Sequence, residues 1–474
     1  MELLSRRELV TGAVTALVAS TAKARPRKPR PNILLLIADN WAYPHASTYG
    51  DPVVQTPTFD RIARQGVVFR NAFAPNPSCS PSRSSLLTGQ ESHRLRDAAN
   101  LYGNLAAEFT VYPDILEASG YAVGFSGKGW GPGSPELSGR KRNPAGEKYA
   151  SFAEFLRSRK TGQPFCFWFG SNHPHVPWNQ GQNRQARMKA SAIRVPKHLP
   201  DEAEVRQDIL NYYCEVEEFD QQCREILEQL EQLGELDRTL VVMTSDNGWQ
   251  MPRGLAGCYD LGVHVPLAMR WPGEIRAGSV RDDFVTLTEL APTFVEAAGL
   301  PRPASFTTKS LFSRQRLDAV FLERERHANV RRGDLAYPIR GVRTKHFLYL
   351  RNLTPERWPA GDPEFYWSVG PYGDVDDSLS KRLLLKRKPQ PYFDLCFAKR
   401  PAEELYDLRS DPDQVNNVAT SPKYAAVKAD LSKRLDEWMQ ATADPRVSPT
   451  DFWDRVPYTG PKFQGRLPDL TPSQ

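Results

Sequence analysis

The chain has 474 residues, 40% hydrophobic and 25% charged, with a net charge of +6 from 62 Lys and Arg against 56 Asp and Glu. This ordinary composition excludes a disordered or fibrous chain, and no run reaches the ~18–20 apolar residues needed to span a membrane. Basic residues are scattered apart from Arg25 to Arg30, so there is no stripe suited to nucleic acid. Six dispersed cysteines are too few for a disulfide scaffold.

Ser5-Arg6-Arg7-Glu8-Leu9 precedes a mild apolar run to Ala19 and then Ala22-Lys23-Ala24. A charged start, short apolar middle and small-residue end predict a cleavable signal over 1–24. Its paired arginines resemble a twin-arginine signal, which implies the twin-arginine export machinery and a periplasmic destination.

Asn32 to Ile37 is a continuous apolar run of the kind buried on both faces of a parallel sheet. Further strands are predicted at Ala122–Ser126, Phe165–Gly170, Leu240–Thr244 and His264–Met269. Between them, Thr56-Pro57 starts a helix that stops at Gly66, and a long amphipathic helix runs from about Glu202 to Leu233. This alternation predicts an α/β unit over 25–335. Ala336–Val342 and Phe347–Arg351 read as a β-hairpin, followed by an aromatic stretch and a helix near Tyr424–Gln440. Residues 336–474 are therefore expected to form a smaller α+β domain with an antiparallel sheet.

Ligands gather at the carboxyl ends of strands in such sheets. Two strands end alike, in Asp39-Asn40 and in Asp246-Asn247, and four converging oxygens would suit a hard cation. Either pair alone also reads as a turn or helix cap. A third segment, Cys79-Ser80-Pro81-Ser82-Arg83 running on to Leu86-Leu87-Thr88-Gly89, is far more specific.

With that string, Gly127-Lys128, Asn172 to Pro177, Ser245 to Gly248 and Pro401 to Leu408, the chain resembles the type I sulfatases, in particular bacterial members related to heparan N-sulfatase. The resemblance implies an alkaline-phosphatase-like fold, a large mixed sheet between helices plus a small antiparallel sheet. It also implies hydrolysis of sulfate esters, or sulfamates, of a sulfated oligo- or polysaccharide. Cys79 would be converted to Cα-formylglycine by the formylglycine-generating enzyme before export. Asp39, Asn40, Asp246, Asn247 and residue 79 would hold Ca²⁺ in preference to Mg²⁺, Arg83 would orient the nucleophile, Lys128 would contact it or the sulfate, and His175 would bind sulfate and protonate the leaving group. Alternatives are a phosphodiesterase or phosphonate monoester hydrolase of the same superfamily, or a sulfoglycan-binding protein without turnover.

The sequence departs from the family pattern at three positions. Asn40 stands where an aspartate is usual, Trp130 where Gly-Lys-x-His has its histidine, and Leu255 where a lysine or arginine is usual. His93 is the candidate replacement base and Arg253 the candidate replacement cation. His327, Arg340, Arg343 and the aromatics from Trp358 to Trp367 are candidate saccharide-recognition groups.

Overall fold

The computed structural model describes residues 30–178, 182–364 and 370–461; the expected signal at 1–24 and Trp367 lie outside them. Twelve strands are described: β1 (Asn32–Ala38), β2 (Val67–Phe73), β3 (Ala122–Gly127), β4 (Glu147–Lys148), β5 (Phe165–Gly170), β6 (Thr239–Ser245), β7 (Leu267–Arg270), β8 (Ser279–Thr286), β9 (Ala319–Arg324), β10 (Ile339–Thr344), β11 (Phe347–Asn352) and β12 (Glu403–Asp407).

The large sheet runs β4-β3-β5-β1-β6-β7-β2-β8. Neighbours from β4 through to β6 are parallel, and β7 is antiparallel to both β6 and β2. The sheet is thus mixed, and the carboxyl ends of β1, β2, β3, β5 and β6 share one edge. Because β1 is covered on both faces, its alternate residues enter different cores. Leu34 and Leu36 pack with the helices Pro57–Gln65 and Ala203–Gln232, and Ile33, Leu35 and Ile37 pack with Tyr112–Ala118 and Leu290–Ala297.

The four-stranded antiparallel sheet, β12-β11-β10-β9, packs against the helix Ala425–Ala441. Two details differ from expectation. The small sheet starts with β9, ahead of the boundary expected at 335. Residues Leu379–Arg387 and Tyr392–Phe397 are helices whose Leu383, Leu384 and Phe397 join the large unit's core. Among the described residues no helix is long and apolar enough to cross a membrane.

Candidate active site

The register of the parallel strands brings distant sequence positions to one edge. Ala38 lies opposite Ser245 across β1 and β6, and Gly127 opposite Gly170 across β3 and β5. The next residues along each chain carry the polar groups. Asp39 N–H donates to the His173 carbonyl at 2.9 Å, and Asp246 N–H to the Ala38 carbonyl at 3.3 Å. Asn40 sits in the left-handed region at φ +75°, its backbone N–H donating to Asp246 Oδ1 at 3.1 Å and its Oδ1 accepting from Asn247 Nδ2 at 2.6 Å. Asparagine tolerates that conformation better than most side chains, so Asn40 combines turn and oxygen donor.

Lys128 depends on two glycines. A Cβ on Gly170 would lie 1.7 Å from the Lys128 carbonyl, and one on Gly127, at φ +70°, would lie 2.1 Å from the Gly170 carbonyl. This close approach sends Lys128 Nζ to Asp39 Oδ2 at 2.6 Å.

Cys79 is the first residue of the helix Cys79–Thr88, which is buried on every side and ends at Gly89 in the left-handed region. Its thiol lies 3.6 Å from Asp39 Oδ1 and 3.9 Å from Asn40 Oδ1, beside the unpaired first-turn N–H groups that favour an anion. One turn on, Arg83 is fully buried. Nε donates to Asp246 Oδ2 at 2.8 Å, and Nη1 donates to the Lys128 and Gly129 carbonyls. Among the described residues Nη2 has no hydrogen-bond partner, and it stands 3.7 Å from Asp39 Oδ1.

Ligand atoms of Asp39, Cys79 and Asp246 all lie within 4.8 Å of one another. Asn247 Oδ1 is buried without a hydrogen-bond partner among the described residues. Two carboxylates and two amide oxygens, one of them this orphaned acceptor, suit a hard divalent cation. The protonation pattern agrees with crowding of charge. Burial alone would raise the Asp39 carboxyl, but Lys128, His175 and Arg83 outweigh it and hold it well below the usual carboxylate range. Asp246 moves the other way, raised by burial and by the negative charge of Asp39. Burial pushes the Cys79 thiol far up, so these side chains do not favour a thiolate.

A cleft of about 840 Å³ opens over this centre, with Asp39, Cys79, Lys128, His175, His327 and Asp376 in its walls. His175 Nδ1 donates to the Val176 carbonyl at 2.6 Å, which orients the ring and leaves Nε2 to serve the cleft. His327 meets Ser78 Oγ at 2.7 Å; burial, with Arg324 and Arg331 nearby, takes its pKa down to about 4 and keeps it neutral.

The structure corrects four expected positions. His93 is not beside the nucleophile; Nδ1 bonds Glu323 at 2.7 Å and the ring abuts Trp438, at the seam with the smaller domain. Arg253 likewise turns away. Its guanidinium stacks 3.8 Å from the Tyr259 ring centre and donates to Leu395, Tyr406 and Gln414 in a separate cavity of about 830 Å³, while Leu255 lines the cleft. Arg340 and Arg343 are also structural, paired with Asp444 and Glu325 and with Asp260 respectively. Trp130 is 3% exposed, its indole N–H donating to Ser84 Oγ at 2.8 Å against the helix rather than entering the cleft. His173 pairs with Glu215. Sequence reasoning missed Tyr102, Tyr458 and Asp376, which line the cleft from three distant segments; only the acidic run Asp374-Val375-Asp376-Asp377 marked any of them.

The sulfatase family model matches residues 31–300, and the model for the N-sulphoglucosamine sulphohydrolase C-terminal region matches 255–348. The chain belongs to the sulfatase family. It is a sulfuric ester hydrolase, and Asp39, Cys79, Lys128, His175 and Asp246 all lie within the matched 31–300 region. The human N-sulphoglucosamine sulphohydrolase is 29% identical over 489 residues, covering 92% of this chain and 94% of that protein. An ulvan-active sulfatase of Formosa agariphila is 26% identical, covering 88% of this chain and 76% of that protein. Among solved structures, the phosphonate monoester hydrolase of Agrobacterium radiobacter superposes with a TM-score of 0.63 at 20% identity, covering 87% of this chain and 96% of that one. A protein solved with its substrate D-glucosamine-2-N,6-O-disulfate does so with a TM-score of 0.62 at 20% identity, covering 88% and 99%.

Proposed function

We propose that this sulfatase removes sulfate, as an ester or sulfamate, from a sulfated saccharide, using residue 79 after its conversion to formylglycine. The observation that carries the reading is the convergence of Asp39, Cys79 and Asp246 at the floor of a cleft walled by Lys128 and His175. The saccharide class is supported by the ulvan-active and N-sulphoglucosamine relatives. Hydrated formylglycine supplies a hydroxyl nucleophile that can regenerate its aldehyde when sulfate leaves. Asp39, Asn40, Asp246 and Asn247 would hold Ca²⁺, which would lower the nucleophile's pKa and neutralise charge on the sulfate oxygens.

The protein's own groups supply the rest. Lys128 offers an ammonium, and the unspent Arg83 Nη2–H a donor, on the nucleophile's side of the cleft. His175, oriented through Nδ1, delivers a proton from Nε2 to the departing oxygen or nitrogen. Neutral His327 contacts the saccharide beside Ser78. Conversion of Cys79 by a formylglycine-generating enzyme would precede twin-arginine export to the periplasm, a route supported by Ser5-Arg6-Arg7-Glu8-Leu9.

The test is mass spectrometry of the tryptic peptide Asn71–Arg83 from the native host, together with sulfate release from sulfated saccharides. Conversion of residue 79 with sulfate release is expected. A plain cysteine, or turnover of phosphonate esters alone, would overturn the proposal.

A further inference from the structure

We infer that Asp376 sets saccharide specificity: its carboxylate accepts a hydrogen bond from an uncharged ring hydroxyl or N–H beside the scissile sulfate and rejects a second sulfate there. The inference rests on the proposed function of the cleft. Three acidic residues in a short run have different fates. Asp374 is buried between Arg324 and Arg331, and Asp377 pairs with Arg382 at the surface. Asp376 lines the cleft, where burial raises its carboxyl pKa and the neighbouring charges of His175, Lys381 and Lys128 act against that rise. Its Oδ2 has no hydrogen-bond partner among the described residues, and the partly exposed side chain lines the cleft.

The loop that presents it is held on both sides. Asp374 Oδ1 accepts from the Ala328 amide at 3.1 Å, tying this loop to the one that carries His327. Lys381 Nζ donates to the Tyr372 and Val375 carbonyls at 3.2 and 2.6 Å. An acceptor fixed in this way requires a donor on its ligand, because an ionised carboxylate can only accept. The cationic groups, Lys128 and Arg83, lie together at the floor and provide for one sulfate. A second sulfate near Asp376 would face like charge in a poorly solvated wall, where repulsion is weakly screened.

The test uses the Cys79→Ala protein, which cannot turn over, with and without Asp376→Asn, and with Asp377→Asn as the neighbouring control. Binding is read on an array of sulfated saccharides in matched pairs differing by one additional sulfate, including glucosamine N-sulfate against glucosamine 2-N,6-O-disulfate. Cys79→Ala is expected to prefer the monosulfated members by about tenfold or more. Asp376→Asn should bring that ratio towards unity, and Asp377→Asn should leave it unchanged. An unchanged ratio in Asp376→Asn, or preference for the disulfated members before that substitution, overturns the inference even if the unsubstituted enzyme releases sulfate. Absence of both sulfated-saccharide binding and sulfate release overturns the proposed function with it.

Discussion

Asp374 offers the most quantitative test of how the cleft is built. Its carboxylate meets Arg324 Nη2 at 2.5 Å and Arg331 Nη2 at 2.7 Å, and accepts the Ala328 amide at 3.1 Å. Burial would raise its pKa, but Arg331, Arg324 and His327 outweigh burial and bring it from 3.8 to about 2. A depressed carboxylate pKa means stability that is present above the unfolded value and lost as pH falls through the folded one. The shift corresponds to about 2–3 kcal/mol, lost between about pH 4 and pH 2. Asp374→Asn keeps the shape and one acceptor but leaves two buried guanidinium groups without their counter-charge, so the expected loss at neutral pH is about 3–5 kcal/mol. Urea denaturation at successive pH values should show the gap between the two proteins narrowing as pH falls below about 4. Because Asp374 touches no reacting atom yet ties the His327 loop to the Asp376 loop, KM for a sulfated saccharide should rise by a larger factor than kcat falls. A variant with an unchanged denaturation midpoint and the same acid limb would refute this account of the tie.

Three further outcomes follow from the site. Calcium should raise the melting temperature by relieving the Asp39–Asp246 charge, with about 2.7 kcal/mol gained at a hundredfold excess over Kd; Asp246→Asn should abolish most of the response, and calorimetry with and without a chelator reads it. His175→Ala should lower kcat by about 10²–10⁴, and less for 4-nitrophenyl sulfate, whose leaving group needs little protonation; equal losses on aryl and saccharide substrates would remove the acid role. Trp130→His, although it restores a histidine in sequence, should lower the melting temperature without raising activity, because the indole packs against the nucleophile helix at Ser84; a gain in kcat would show that this position reaches the cleft.

The central strands were legible because burial on both faces leaves an uninterrupted apolar record, as in β1, β5 and β6. β8 escaped because it is an edge strand whose Ser279 to Asp283 alternate with solvent. β9 escaped for the opposite reason. It leads into a charged run whose arginines are buried against a distant carboxylate, Arg324 and Arg331 both pairing with Asp374. Pairing between residues far apart in the chain leaves no periodicity to read. The same limit explains His93 and Arg253, chosen for residue type and proximity to a motif, and drawn elsewhere by Glu323 and Tyr259.

This division follows from how the two halves of the cleft are specified. The reacting floor comes from residues that end adjacent strands or begin one helix, so strand register and short motifs suffice to place Asp39, Lys128, Asp246 and Cys79 together. Part of the outer wall depends on loops from β9 onward, held by the Asp374 ion pairs and by Lys381 rather than by sheet register. Changes in those loops can alter which saccharide fits while leaving the floor's geometry intact. With Trp130 turned beneath the helix and Leu255 at the cleft, His327 and Asp376 are two of the polar groups that this wall presents. The two are joined through Asp374, since the Ala328 amide it holds directly follows His327. Substitution at that buried pair should thus change substrate binding at both walls together, which separate surface loops would not do.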